Sequence, residues 1–255
     1  MIPAGEIIQR LHGIASHAGE NLIVEDVRFG LSYVGVRLDV QWMGLAALLL
    51  HELPPGCSVF PEAGKLAGAK APSLLNNLVE GRNPLEKALG LATANAILHT
   101  ACIEDERDSL AIMKLTPDDR VSMVGLFTPM VPKIEATGAS LSIIERDPTR
   151  MAVLDKKESD RILKECTVAI ITATTLLNGT LEEVLNGLGN PRHVAVLGPS
   201  TPLCPEIFQD TPVNHLGGAI VRDANKVMQI ISEGGGTRAM RPYLRFVNLL
   251  LPKTS

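Results

Sequence analysis

The second half of the chain contains five short, continuous apolar runs, and each of them ends in small, hydroxyl or acidic residues. They are VSMVGLFTP (residues 121–129), SLSIIERDP (140–148), VAIITATTLLNGT (168–180), HVAVLGPSTP (193–202) and GGAIVRD (217–223). Runs of this kind, separated by polar turns and helical stretches, are typical of strands that are buried on both faces of a parallel sheet. Because ligands of such sheets bind outside the carboxyl ends of the strands, the polar residues collect where a binding site is expected.

The first half has the pattern of a small α+β domain. Residues 2–15 have apolar residues at helical spacing, and residues 23–30 and 33–42 are predicted to form a hairpin that turns at residues 30–32. Asn83, Pro84 and Glu86 indicate a helix start and a helix that continues to residue 101. The charged, turn-rich stretch 104–119 marks a boundary. We therefore predict an N-terminal α+β domain over residues 1–112 and a doubly wound α/β domain over residues 113–255.

Composition narrows the classes of function. Aromatic residues make up 3% of the 255 residues and the net charge is −4, so a nucleic-acid partner is not expected. The apolar stretch 43–50 is far shorter than the roughly 20 residues that cross a bilayer, so we expect no membrane association. Four widely separated cysteines, with no C-x-x-C pair, indicate free thiols in a reducing cytoplasm: Cys57, Cys102, Cys166 and Cys204.

The turns after the predicted strands supply the candidate ligand contacts. Glu145 lies 20 residues beyond Gly125, the spacing of an acid that hydrogen-bonds a ribose or a similar diol. Only one glycine is present instead of G-x-G-x-x-G, so a standard NAD site is the minority interpretation. Thr180 is expected to cap the helix that it begins, so it is not a candidate. The candidates are Gly125, Phe127, Thr128, Glu145, Thr174, Thr175, Asn178, Gly198, Ser200 and Thr201, with Asn95 reaching across from the first domain.

Motifs for catalysis or for a resident metal ion are weak. His51-Glu52 does not extend to H-E-x-x-H, and neither G-x-S-x-G nor a phosphate-binding G-x-x-x-x-G-K-[ST] loop occurs. His193 and His215 precede apolar or glycine-rich strand segments and are predicted to be structural. If a metal is involved, we expect it to arrive with a small-molecule ligand.

Four of these turn segments resemble a prokaryotic family of unknown function, the heavy-metal chelation domain. The matching segments are VGLFTPMVPKI (124–134), IIERDP (143–148), ITATTLLNGTLEEVL (171–185) and VLGPSTPLCPEIF (196–208), and NPLEKALGLATANAIL (83–98) is similar to the companion domain of that family. The resemblance implies an enolase-N-terminal-like α+β domain followed by a Rossmann-like domain, with the site in the cleft between them.

Together, these features favour a cytoplasmic protein that binds a small polar molecule in the interdomain cleft. The resemblance adds heavy-metal chelation or siderophore-type metabolism, with a heavy-metal ion or a metal chelate as the candidate cofactor. The alternative is an enzyme, a transferase or a lyase, that uses a nucleoside-containing cofactor such as S-adenosylmethionine or NAD. Whether a bond is made or broken stays open, and a homodimer is expected.

Overall fold

The N-terminal part of the chain forms a three-stranded antiparallel sheet with helices packed against it. This computed structural model describes residues 1–53, 60–99 and 105–252. Its first elements are α1 (Glu6–Ala18), β1 (Val24–Phe29), β2 (Tyr33–Leu38), β3 (Met43–Ala47), a 3-10 turn (Leu50–Glu52), α2 (Ala71–Leu75), α3 (Asn77–Glu80) and α4 (Pro84–Ile97). The predicted hairpin is confirmed, because β1 and β2 pair antiparallel and the Gly30 N–H donates to the Tyr33 carbonyl. The sequence interpretation missed β3, a strand without polar alternation because most of it is buried.

The predicted helix start at Asn83 is present. The Asn83 side chain accepts hydrogen bonds from the N–H groups of Leu85 and Glu86. The Glu86 carboxylate, however, accepts from the Arg82 N–H and not from that of Asn83, so the capping box is displaced by one residue. The helix ends at Ile97, earlier than predicted, and residues 100–104 lie outside the described part of the chain.

The small-residue face of α4 permits a close approach to the sheet. Ala88, Ala92 and Ala96 are fully buried, and a β-carbon on Gly44 of β3 would collide with the Ala92 carbonyl oxygen. Glycine at position 44 is therefore required by packing.

The C-terminal part is a six-stranded sheet with helices on its faces. Its elements are α5 (Ser109–Met113), β4 (Arg120–Val124), α6 (Val131–Glu135), β5 (Ser140–Ile144), α7 (Lys156–Glu165), β6 (Val168–Thr172), α8 (Thr174–Leu177), α9 (Leu181–Gly187), β7 (His193–Leu197), a 3-10 turn (Pro205–Phe208), β8 (His215–Val221), α10 (Ala224–Ser232), α11 (Thr237–Met240), a 3-10 turn (Arg241–Tyr243) and β9 (Leu244–Leu250). The strand order is β5-β4-β6-β7-β8-β9. The five apolar runs all lie parallel, as predicted, and β9, which was not predicted, pairs antiparallel with β8.

The predicted domain boundary, after residue 112, falls within α5. Met113 at the end of that helix is 1% exposed and packs with residues of β4 and β6.

The prediction that Thr180 caps the helix that it begins is wrong. Thr180 does not cap α9, and its hydroxyl bonds to the side-chain oxygen of Asn178 instead. Glu182 turns toward the first domain, where its carboxylate accepts the N–H of Ile7 in the first turn of α1. Glu183, the acid three residues after Thr180 that would complete a capping box, pairs with Lys156 of α7 instead, at 3.0 Å.

Helix α10 joins the two sheets. It ends at a glycine turn, with Gly234 at a φ of +79°. Its apolar residues Val227, Met228 and Ile231 form one buried cluster with Tyr33 and Met43 of the first sheet. Because this contact between the two halves is apolar, we expect them to keep a fixed relative orientation. Among the described residues, no helix is both long and apolar enough to span a bilayer.

Candidate functional site

A cavity of about 510 Å³ lies at the carboxyl ends of β4, β5 and β6. Its opposite wall comes from the first domain, from residues at the start of β2 and from residues 47–52 after β3. The volume is within the range of about 300–1,000 Å³ that is usual for small-molecule sites. The position is the one predicted, outside the strand ends of a doubly wound sheet.

Six of the eleven candidate residues line this cavity: Gly125, Phe127, Glu145, Thr174, Thr175 and Asn178. Asn95 and Thr201 line a second, much smaller cavity between the domains. Thr128, Gly198 and Ser200 line neither of these two cavities. The structure thus brings together the candidates from the ends of β4, β5 and β6, and separates them from those that follow β7.

Gly125 forms the tight turn at the floor of the cavity. Its φ is +82°, and its N–H donates to the Ile144 carbonyl of the neighbouring strand at 2.8 Å. A β-carbon at this position would lie 2.5 Å from the Thr172 methyl group. Both the backbone conformation and the close approach require glycine here.

Glu145 is a buried carboxylate, 7% exposed, that organises two loops. Its Oε2 accepts the Leu126 N–H at 3.0 Å and pairs with the Arg150 guanidinium at 2.9 Å. Its Oε1 accepts the N–H groups of Arg146 and Asp147 at 2.8 and 3.1 Å. Since a carboxylate has about four lone-pair sites, these four donors occupy its acceptor capacity. Glu145 therefore supports the cavity wall that it lines and has little capacity left for a ribose diol.

Hydroxyl and amide groups from the β6–α9 turn form a polar wall. Thr175 is 2% exposed and its hydroxyl donates to the Thr172 carbonyl, whereas the Thr172 and Thr174 hydroxyls bond to each other at 3.1 Å. The Asn178 Oδ1 accepts the Thr180 hydroxyl at 2.7 Å, and its Nδ2 has no partner among the described residues. Thr180, excluded by the sequence interpretation, lines the cavity, since its hydroxyl is not used as a cap.

Charged side chains that the sequence interpretation did not select also line the cavity. His51, from the first domain, has its Nδ1 3.9 Å from the Asp147 Oδ2 and its Nε2 3.6 Å from the Glu52 Oε1. Hydrogen bonds from the side chain and backbone of Thr149 lower the pKa of Asp147 and hold its other oxygen. No sequence motif links residues 51 and 147, because the packing of the two domains brings them together.

Two arginines give the cavity positive charge. The Arg150 guanidinium pairs with the Glu145 carboxylate and donates a hydrogen bond to the Leu126 carbonyl. Arg146 also lines the cavity, and its guanidinium makes no ion pair or hydrogen bond with another described residue. The cavity therefore presents both signs of charge together with neutral hydroxyl and amide groups.

Cysteine and histidine do not form a metal centre within residues 1–53, 60–99 and 105–252, where no group of three or more His, Cys, Asp or Glu side chains could hold an ion. Burial raises the pKa of Cys166 to about 11. Burial and the neighbouring Glu206 carboxylate raise the pKa of Cys204 to about 12. Both thiols therefore stay protonated, and a thiol is a poor metal ligand. Cys57 and Cys102 lie outside the described residues.

Two candidate residues, one from each domain, form hydrogen bonds between the domains. The Ser200 hydroxyl accepts the Ala47 N–H at 2.7 Å, and the Asn95 Nδ2 donates to the carbonyls of Leu45 and Ser200 at 2.8 and 3.0 Å. These bonds join β3 and α4 of the first domain to the turn after β7. Gly198 forms that turn, with a φ of +124° and its carbonyl bonded to the Thr201 N–H.

Comparison with known proteins agrees with this architecture. A chain of known structure from Pyrococcus horikoshii, a protein with unknown function from the DUF364 family, superposes with a TM-score of 0.82 at 20% identity, covering 96% of this chain and all of its own. A second such protein, from Desulfitobacterium hafniense DCB-2, gives a TM-score of 0.76 at 21% identity and covers 95% of this chain and 99% of its own. An uncharacterized protein of Methanocaldococcus jannaschii is 26% identical over 235 residues, 88% of each chain.

Family models match both halves of the chain. The model of the DUF4213 family matches residues 12–98, and that of the DUF364 family matches residues 108–250. Both carry the description "Putative heavy-metal chelation". The second match covers more than half of the chain, so the resemblance of its turn segments is confirmed. The protein described here belongs to the DUF364 family, with its DUF4213 companion domain at the N-terminus.

Proposed function

We propose that the cavity between the two domains binds one small polar molecule, and that this molecule carries any metal ion as a preformed chelate. The observation that supports this most directly is the cavity of about 510 Å³, lined by residues of both domains at the carboxyl ends of three parallel strands. The description of the family models, putative heavy-metal chelation, is consistent with a ligand that carries a metal ion.

Size and donor chemistry favour a chelate over a bare ion. A bare divalent ion is usually held by three or more closely spaced ligands, and no group of three or more His, Cys, Asp or Glu side chains that could hold one occurs among the described residues. A volume of about 510 Å³ is instead suited to an organic molecule. An organic chelator would supply the metal ligands itself, and the protein would bind the organic part.

The polar lining favours a ligand with both charged and neutral polar groups. Arg146 offers a guanidinium to an anionic group, while Asp147 and Glu52 offer carboxylates to a cationic one. Thr174 and the Asn178 amide provide neutral contacts between them. Carboxylate-rich and amino-acid-based chelators have this mixture of groups.

The second candidate is a nucleoside-containing cofactor such as S-adenosylmethionine or NAD, which would make the protein an enzyme. The spacing between Gly125 and Glu145 favours it. The four donors around the Glu145 carboxylate weigh against it, because that side chain has little capacity left to bind a diol.

Isothermal titration calorimetry with the purified protein distinguishes these possibilities. We expect saturable heat at one site per chain with the Ni²⁺, Co²⁺ or Fe³⁺ complexes of citrate or histidine, and none with free Ni²⁺, Co²⁺ or Zn²⁺. Equal binding of the free ions, or no heat with any complex, would overturn the chelate proposal. A thermal shift with S-adenosylmethionine or NAD, but not with the complexes, would favour the enzyme.

A pair of matched variants locates the site. Thr174→Val removes a hydroxyl from the cavity wall and is expected to weaken binding by about 3–10-fold, the effect of one hydrogen bond. Thr137→Val is the control, since its hydroxyl bonds to the Ile134 carbonyl and lines neither described cavity. Equal affinities of the two variants would place the ligand elsewhere.

A further inference from the structure

A chain of hydrogen-bonded polar side chains connects β7, β8 and β9 near the points where β7 and β8 begin. His193 is the first residue of β7, His215 is the first residue of β8, and Asn248 lies in β9. The His193 Nε2 lies 3.0 Å from the His215 Nδ1, and the His215 Nε2 lies 2.9 Å from the Asn248 Oδ1. His215 is fully buried and Asn248 is 4% exposed. None of the three residues lines the cavity of about 510 Å³.

Asn248 also holds the connecting segment, residues 105–109, which leads into α5. The Asn248 backbone N–H and Nδ2 both donate to the Asp105 carbonyl, at 2.7 and 3.3 Å. The Nδ2 donates in addition to the Arg107 carbonyl at 2.7 Å, and the Ser109 hydroxyl donates to the Asn248 Oδ1 at 2.7 Å. Four hydrogen bonds to one residue therefore attach the connecting segment to β9.

These contacts determine which nitrogen of each histidine carries a proton. Because the Asn248 Nδ2 faces two carbonyls, the Oδ1 is the atom that faces His215, and the His215 Nε2 donates to it. Burial lowers the pKa of His215 and favours the neutral imidazole, which has a single N–H. The His215 Nδ1 is therefore an acceptor, and the His193 Nε2 donates to it.

A second proton on His215 is incompatible with this arrangement. It would bind at the Nδ1, which already accepts the His193 N–H, and it would place a positive charge in a fully buried residue. Burying a charge is costly unless the charge is paired and hydrogen-bonded. The connecting segment is close to His215, since Asp105 and Arg107 both influence its pKa. Movement of this segment away from β9 would therefore give water access to the imidazole.

Among the described residues, the charged groups that face His215 belong to the connecting segment. Asp105 favours the charged imidazole and Arg107 disfavours it, so their electrostatic effects oppose each other. The hydrogen bond from Arg107 lowers the pKa of Asp105 to about 2, so this carboxylate stays ionised near neutral pH. From β7 the titratable neighbour is His193, and from β9 the neighbour is the neutral Asn248. Within this set, the histidines are therefore the groups that titrate between about pH 7.5 and pH 5.5.

We propose that His215 makes the attachment of the connecting segment sensitive to acid, because protonation of its imidazole releases residues 105–109 from β9. Above about pH 6.5 the imidazole is neutral whether the segment is attached or released. Below this pH the released form binds a proton that the attached form excludes, so release becomes more favourable as the pH falls. This regulation is independent of the proposed ligand.

Amide hydrogen exchange measured by NMR tests the proposal. The reporter is the Asn248 N–H, which bonds to the Asp105 carbonyl, and each exchange rate is divided by the intrinsic rate at the same pH. The opening equilibrium at Asn248 is expected to rise by up to about tenfold between about pH 7.5 and pH 5.5. The amide of Ile170, in the central strand β6, is the internal control and is expected to stay unchanged. An equal rise at both amides, or no rise at Asn248, would overturn the proposal.

Two variants test whether His215 is the group responsible. In His215→Gln the amide can donate to Asn248 and accept from His193, but it does not take up a proton in this pH range, so the pH dependence is expected to disappear. His12→Gln is the control, because His12 forms an exposed hydrogen bond with Asn76, and it is expected to behave as the native protein does. A pH dependence that persists in His215→Gln would contradict the role of His215. If that variant does not fold, the two amides of the native protein still decide.

Discussion

Replacing Glu145 by glutamine tests whether this side chain supports the cavity or contacts its ligand. In the native protein the carboxylate accepts three backbone N–H groups and pairs with Arg150. A glutamine keeps one oxygen and turns an NH₂ group toward two of these four donors. Two hydrogen bonds are then lost, each worth about 1–2 kcal/mol because the acceptor is charged and buried. The expected loss in the free energy of unfolding is about 2–4 kcal/mol.

Thermal melting followed by circular dichroism measures this loss. For a chain of this size, about 2–4 kcal/mol corresponds to a decrease in Tm of about 4–16 °C. Glu158→Gln is the control, because Glu158 is an exposed partner of Arg161 on α7 and such pairs contribute about 0.2–1 kcal/mol. An unchanged Tm for Glu145→Gln, combined with lost ligand binding, would refute the supporting role and make Glu145 a ligand contact.

Three further predictions follow from the backbone and the charges. Gly125→Ala is expected to lower the free energy of unfolding, measured by urea titration, by about 1–3 kcal/mol. Gly179→Ala is the control and should lose less, because its added β-carbon meets no atom within 4 Å. Equal losses in the two variants would contradict the steric argument. Arg192 lowers the pKa of the Asp119 carboxyl in the folded protein. The stabilisation from this pair is therefore present above the pKa of the unfolded chain and is lost as the pH falls through the pKa of the folded protein. Urea midpoints measured from pH 6 to pH 3 should fall less steeply in Asp119→Asn than in the native protein. Burial lowers the pKa of His215 in the folded protein, so the neutral imidazole is favoured there. The contribution of His215 to stability is therefore present above about pH 6.5, the pKa in the unfolded chain, and is lost as the pH falls through the pKa of the folded protein. An NMR titration of the His215 imidazole with a midpoint above about 6.5 would contradict this prediction.

The local elements were predictable because their signals act over a few residues. Continuous apolar runs predicted the five parallel strands, and Asn83 predicted the start of α4. The strands β3 and β9 were missed, although both are apolar. Within the described residues a 3-10 turn follows β3 and no helix follows β9, so neither has the strand, turn and helix pattern that made the other runs recognisable.

The candidate site was predictable in its location but not in the role of each residue. The turn residues at the ends of β4, β5 and β6 were selected correctly as neighbours in space. Whether each one faces the cavity depended on its other partners. Glu145 is occupied by four donors, and the Thr180 hydroxyl bonds to Asn178 instead of capping α9.

The amino-acid sequence by itself determined the parallel sheet, the order of its turns and the edge at which polar groups collect, because hydrophobic periodicity and helix caps depend on near neighbours in the chain. Only the tertiary structure decided that His51 meets Asp147 across the cavity and that Asn95 and Ser200 bond the domains together. These contacts join residues far apart in the chain. Their geometry follows from the packing of α10 and α4 against two sheets, which no local pattern specifies.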